Sequence, residues 1–370
     1  MITAVTAPHA PPSSHPGYYE RSAMGNFSAA ALLYSCLAHI WVFGFRRQKR
    51  QISLQPLQIP RKTAVITGTS QGGIGLEVAK SLVVDCGWEV VLACRSKEKA
   101  LAAQREIELA QVDSNLNETR GKAVVLDVPL DLSSMKSVSD YSKELSSKYE
   151  SIDVLVNNAG LNTDGKCGKL NLIFQANFLG HFALTKALLD KLKDGGRVVN
   201  LSSVMHHFAG SKEKDEQWWR SMSLFQDPKL PETYSASKLA ALLFSLELNR
   251  RYSSSHKIRS VAVNPGAVAS DIWRSKPRWL RWIYRRLYLT PKQGASTTLA
   301  AVIQPDLGDI EYIQPYWQRN SGVPHPITEM MGPYIGWKAT KPRLPSDGGK
   351  AAGSALWKVC EELSETNVQI

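Results

Sequence analysis

Apolar positions along this chain follow two rhythms. Short runs at Ala64–Ile66, Val90–Ala93, Ala123–Leu126, Val154–Val156, Val198–Leu201 and Val261–Val263 are apolar but for Asn200 and predict strands buried on both faces. Between them lie longer stretches at helical spacing, Lys97–Gln111, Met135–Lys148, Leu170–Leu192 and Ala236–Tyr252. Strand and helix alternating in this way predict an α/β fold. Its centre is a doubly wound parallel sheet, with helices on both faces and right-handed crossovers.

A third pattern precedes these. No charged residue occurs from Ser22 to Phe45, and Arg46-Arg-Gln-Lys-Arg50 follows at once. A membrane span needs about 20 predominantly apolar residues, with basic residues on its cytoplasmic side. The pattern therefore predicts an N-terminal transmembrane helix over residues 22–45. A peripheral segment or a removed presequence are the other readings, although a signal peptide carries its positive charge before the apolar region. Residues 1–21, with Pro8, Pro11, Pro12 and Pro16, read as a disordered tail, and residues 46–60 as a basic linker. Residues 61–310 form the α/β domain, and residues 311–370 an irregular extension with six prolines between Pro315 and Pro345.

Composition sharpens this picture modestly. At 370 residues and 43% hydrophobic content the chain can bury a large core. With 45 basic against 33 acidic side chains the net charge is +12, which favours anionic partners. Five scattered cysteines, without a CxxC or a Cys/His cluster, suggest no metal site and a reducing compartment.

The chemistry begins at Thr67-Gly-Thr-Ser-Gln-Gly-Gly-Ile-Gly75, between the first strand and its helix. Glycines there let backbone N–H groups approach a pyrophosphate at the helix N-terminus, as in Rossmann-type folds. Twenty residues on, where an acidic residue would favour NAD, the second strand ends Cys94-Arg95. Arginine suits the 2′-phosphate of NADP. Tyr-x3-Lys occurs three times, at Tyr234/Lys238, Tyr288/Lys292 and Tyr334/Lys338. Proline interrupts the second and flanks the third, so only Tyr234 and Lys238 are expected one turn apart on a helix face. An ammonium about 5 Å from a phenol, at an effective dielectric near 20, contributes roughly 3 kcal/mol, or about two pKa units. Lys238 is thus expected to activate Tyr234 as an acid–base.

The ordered pieces resemble the short-chain dehydrogenase/reductase family over about residues 60–305: TGTSQGGIG, Asp131 in PLDLSS, Asn157-Asn-Ala-Gly160, Asn177-Phe-Leu-Gly-His-Phe182, Val199-Asn-Leu-Ser-Ser203, Tyr234-Ser-Ala-Ser-Lys238 and Asn264-Pro-Gly266. The details ACRS, NFLGHF and TPKQGASTTL are similar to its retinol dehydrogenase-like branch. The resemblance implies a single Rossmann-type domain and catalytic residues Asn177, Ser203, Tyr234 and Lys238. Asn177 would hold a relay water, and Lys238 would also bind the nicotinamide ribose. It further implies NADP(H) contacts from Gly68, Ser70, Gly73, Ile74, Gly75, Arg95, Asp131, Asn158, Tyr234, Lys238, Pro265 and Gly266. The family's loop has three residues between its first two glycines. Here there are four, so Gly72 reads as an extra residue absorbed in a bulge.

His181 reads as a packing residue. The long Ser203–Tyr234 interval is expected to form a loop beside the site. Residues 273–288 follow the family's lid position. At helical spacing Arg274, Arg278, Arg281 and Arg285 fall in one stripe, with Trp279, Leu280, Ile283, Tyr284 and Leu287 on the other side, a second membrane-compatible segment. The whole reads as a membrane-anchored NADP(H)-dependent oxidoreductase interconverting a lipophilic carbonyl and alcohol, retinoid-, steroid- or lipid-like. It would sit in the endoplasmic reticulum with its catalytic domain facing the cytosol. Nucleic acid is not expected as a partner, and a homo-oligomer is compatible. A protochlorophyllide reductase-like enzyme and a silent NADPH-binding membrane scaffold are the alternatives.

Overall fold

Strands rich in Val, Ile and Leu with no polar face must be covered twice, and they are. The computed structural model describes residues 61–113, 121–210, 213–225, 230–317, 334–342, 344 and 347–366. In chain order, β1 (Thr63–Thr67) leads to α1 (Ile74–Val84), β2 (Glu89–Ala93), α2 (Lys97–Asp113), β3 (Lys122–Val124), α3 (Met135–Lys148) and β4 (Ile152–Asn157). A small hairpin, β5 (Lys166–Cys167) and β6 (Leu170–Asn171), precedes α4. That helix starts at Leu172–Phe174, widens into a π turn at Gln175–Leu179 and continues as Gly180–Leu188. Then come β7 (Leu192–Leu201), α5 (Glu216–Ser223), α6 (Leu230–Tyr252), β8 (Arg259–Val263), α7 (Arg278–Leu287) and α8 (Pro291–Ile303). β9 (Tyr312–Trp317), β10 (Tyr334–Thr340) and α9 (Lys350–Thr366) complete the described chain.

The sheet runs β3-β2-β1-β4-β7-β8-β9-β10. Alternate strand residues feed opposite cores. Val65, Val91, Leu155 and Val198 face a layer built from α3, α4, α6 and α9. Ile66, Val90, Val156 and Val199 face α1, α2 and α8. Each fully buried side chain of this kind contributes roughly 1.5–3 kcal/mol relative to exposure, and the two-sided burial explains why these runs lack a polar rhythm.

Two expectations about the fold class require correction. The sheet is mixed, because β10 lies antiparallel to β9. Among the described residues, the helix long and apolar enough to span a membrane is internal, Leu172–Lys191, rather than N-terminal. Its most apolar window is 72% buried. Phe174, Phe178 and Phe182 stack along it against Phe244 and Trp219, so its apolarity is that of a core helix. The span expected over residues 22–45 lies outside the described residues.

The interval between Ser203 and Tyr234 also differs from a plain loop. Its α5 docks on α9: the Trp219 indole N–H donates to Ala352 O at 3.1 Å, Lys358 pairs with Glu216 at 2.9 Å, and Arg220 pairs with Glu362. Trp219 is fully buried, which anchors the interval to the C-terminal helix.

Candidate functional site

Parallel sheets of this kind open a crevice at the carboxyl ends of their strands, where the chain order reverses. Here β1 and β4 are neighbours at that point, and the motif residues gather above them. Gly68 takes φ +71°, and its N–H donates to Ala93 O at 2.7 Å, closing the loop onto β2. A Cβ on Gly68 would stand 2.8 Å from Ala159 Cα, and one on Gly75 would stand 2.4 Å from Asn158 Nδ2. Both positions exclude any larger residue. Gly73 is the N-cap of α1 and supplies no side-chain cap, so the first N–H groups of that helix stay open to an anion. Gly73 N–H itself donates to Ser70 O at 3.2 Å, and Ile74 begins the helix.

Gly72 has φ +73°, in the left-handed region, and is exposed. A Cβ there would point at Asp271 Oδ1, 3.7 Å away. The extra residue is therefore turned outward, away from the cradle. It borders a cleft of about 120 Å³ lined by Asp271, Trp273, Arg274, Arg281 and Tyr284.

Asn158 acts as a staple: its Nδ2 donates to Thr67 O at 2.6 Å and Gly68 O at 3.1 Å. Asp131 Oδ1 accepts from Ser133 N at 2.9 Å and Ser133 Oγ at 2.6 Å, holding the turn before α3. Arg95 is exposed at the end of β2, with no ion pair among the described residues. Gly266, at φ +82° after Pro265, donates its N–H to Asn264 Oδ1 at 2.9 Å and turns the chain from β8 toward the α7 segment.

The catalytic candidates converge on the other side of the crevice. α6 carries Tyr234 and Lys238 on one face, and Ser202 Oγ donates to Lys238 O at 2.7 Å, fixing that face against β7. The Tyr234 hydroxyl faces the Ser203 side chain, which holds its pKa down against the push of burial. Lys238 Nζ donates to Leu201 O at 3.0 Å and lies 5.7 Å from the Tyr234 ring centroid. A side chain on Gly160 would meet Lys238 Nζ at 3.5 Å and Asn177 Oδ1 at 3.6 Å, which places these two groups around one small space.

The other two tyrosine–lysine pairs are elsewhere. Tyr288 caps α7 and Pro291 begins α8, while Tyr334 and Lys338 lie on β10.

Asn177 sits in the π turn. Its Oδ1 accepts from Leu161 N at 2.8 Å, and its Nδ2 donates to Leu161 O at 2.9 Å and Ser237 Oγ at 3.3 Å. Both amide protons are spent, and one Oδ1 lone pair remains for a further donor.

His181 has a larger part than packing. Asn177 O can only accept, so His181 Nδ1–H donates to it at 3.0 Å, and Nε2 takes the Thr67 hydroxyl proton at 2.9 Å. The ring thus ties the end of β1 to the π turn. Sequence reasoning missed this because one turn of spacing says nothing about which strand lies opposite.

Electrostatics differ from the expected activation. Burial pushes Tyr234 up to about 12, partly offset by the Ser203 side chain. Burial likewise pushes Lys238 down to about 8. Desolvation dominates at both groups, so the tyrosine is protonated at pH 7. His181 is pushed down to about 4 by burial and is neutral at pH 7.

The model of the short chain dehydrogenase family matches residues 62–213. Human retinol dehydrogenase 11 is 36% identical over 262 residues, covering 68% of this chain and 76% of that protein. The chain belongs to the short-chain dehydrogenase family. It is an oxidoreductase by that membership, and its closed glycines and uncapped α1 fit the dinucleotide such enzymes use. Human polyprenol dehydrogenase is 32% identical over 303 residues, covering 75% of this chain and 84% of that one. Among solved structures, the NADP complex of Pseudomonas aeruginosa RhlG superposes with a TM-score of 0.50 at 21% identity, covering 67% of this chain and 91% of that one. That likeness bears on the fold, and it agrees with the family's sheet.

Proposed function

We propose that this protein is an NADP(H)-dependent oxidoreductase of the retinol dehydrogenase-like branch, acting on a lipophilic carbonyl or alcohol. One observation carries the reading: the Tyr234 hydroxyl rests on Ser203, with Lys238 one turn behind it, opposite an uncapped glycine cradle. Relatives named for retinol and polyprenol support a lipophilic substrate. Arg95, exposed beside the cradle, supports the 2′-phosphorylated cofactor.

Bound there, NADPH would supply a hydride to the carbonyl carbon. The protein's part is to hold and protonate the oxygen. The Ser203 hydroxyl orients it, and Tyr234, protonated at pH 7, donates to it as negative charge develops. Lys238, charged below about 8, steadies the tyrosinate left behind. Asn177, fixed by Leu161 and Ser237, offers Oδ1 to a relay water. The place of work is a membrane, read as the endoplasmic reticulum with the catalytic domain in the cytosol, in keeping with a lipophilic substrate.

The test uses the full chain with NADPH and vesicle-borne retinal, steroid ketones and long-chain aldehydes, with alcohol product measured. The reading expects turnover on at least one class and a preference for NADPH over NADH. Tight NADPH binding without turnover on any carbonyl would replace it with a binding scaffold. Pigment co-purifying with the chain would favour protochlorophyllide reduction.

A further inference from the structure

The helix α7 is the least embedded of the described long helices. None of its residues is buried, and Trp279 and Trp282 are 64% and 59% exposed. The expected separation holds for Leu280, Ile283 and Tyr284 but not for Trp279, which stands exposed beside Arg278. At 100° per residue, Arg278, Trp279, Trp282 and Arg286 share one outward sector. The Arg286 guanidinium lies over the Trp282 ring, 5.0 Å from its centroid. Leu280, Ile283 and Tyr284 point the other way and are half-buried, with Tyr284 stacked on Tyr288 at 4.7 Å.

Two large indoles that stand more than half exposed oppose the rule that large apolar surface is covered. An amphipathic ring flanked by guanidinium groups suits the headgroup layer of a bilayer, where the indole meets the acyl boundary and the cations meet phosphate. No carboxylate lies within the helix, and the chain carries +12 overall. The complementary surface is therefore anionic as well as apolar, as the headgroup layer of a bilayer is.

We infer that the outward sector of α7, Arg278, Trp279, Trp282 and Arg286, docks on an anionic phospholipid surface. The inference rests on the proposed work at a membrane but not on the oxidoreductase chemistry. Docking sets the segment that follows Gly266 against the bilayer.

Hydrogen–deuterium exchange of the full chain tests it locally. Vesicles of phosphatidylcholine with phosphatidylserine are compared with phosphatidylcholine alone, and exchange is followed in peptides covering residues 273–288. Protection of that segment on anionic vesicles, weakening as salt shortens the Debye length, is the expected result. Arg278→Gln with Arg286→Gln should lower partitioning about fivefold per arginine, and Trp279→Ser with Trp282→Ser should remove the protection. NADPH affinity serves as the folding control for both variants. Vesicle binding without protection at 273–288 would overturn the inference while leaving the membrane reading in place. Absence of vesicle binding would overturn both. Equal protection by a soluble polyanion such as heparin, indifferent to the tryptophan variant, would reduce the face to a general anion patch and overturn it too.

Discussion

The ammonium of Lys238 sits in the core on Leu201 O, with its pKa pushed down to about 8 by burial. Between that value and the ordinary lysine range near 10.5, the unfolded chain binds a proton that the folded chain does not. Stability therefore rises with pH across that window, and below about pH 8 the buried charge is a standing cost. Lys238→Met should remove activity yet raise the unfolding free energy at pH 7 by on the order of 1–3 kcal/mol, read by thermal or denaturant melts. His181 runs a similar way at lower pH. Its folded pKa of about 4 lies below its unfolded value, so stability present above pH 6.5 is lost as pH falls toward 4. His181→Phe should flatten that acid limb and, by removing the hydrogen bonds to Thr67 and to the Asn177 carbonyl, cost about 1–3 kcal/mol at neutral pH. The candidate residues could be picked out in the sequence because Tyr234, Lys238, Ser203 and Asn177 come in a fixed order. Their protonation was not, since sequence shows charge but not burial.

Among the elements, the glycine loop separates two kinds of glycine. A Cβ on Gly75 meets Asn158 Nδ2 and the Gly68 carbonyl, whereas one on Gly72 has room and only a backbone penalty. Gly75→Ala should abolish measurable NADPH binding in a fluorescence titration. Gly72→Ala should leave the affinity within a few fold and cost about 1 kcal/mol of stability from its positive φ. A Gly72 variant that loses binding as fully as Gly75→Ala would show that the bulge belongs to the cradle. The spacing of TGTSQGGIG exposed the extra residue, but not its direction toward Asp271, which depends on a segment 199 positions later. The core of α4 was equally legible as a helix, and its π turn was not. Periodicity over Leu170–Leu192 cannot register one wide turn, nor separate a buried core helix from a membrane span.

On the scale of the whole molecule, two-sided apolar strands revealed the central sheet and its helical layers. The edge was harder to read. β9 and β10 carry Pro315 and Gly336, so their strand pattern was submerged in a proline-rich stretch. We propose that the preference between cofactors rests on one exposed side chain, Arg95. Arg95→Glu should weaken NADPH binding about 10- to 100-fold through loss of charge-assisted contacts, with NADH affinity unchanged or improved. Equal loss for both cofactors would assign Arg95 to the loop's structure instead. The central claim is that Tyr234 delivers the proton in carbonyl reduction, and the most direct measurement is single-turnover reduction by full-length Tyr234→Phe beside the wild type, both saturated with NADPH. The account predicts a fall of about 10²- to 10⁴-fold in the chemical step with NADPH affinity retained; a variant that reduces its substrate as fast as wild type would contradict it.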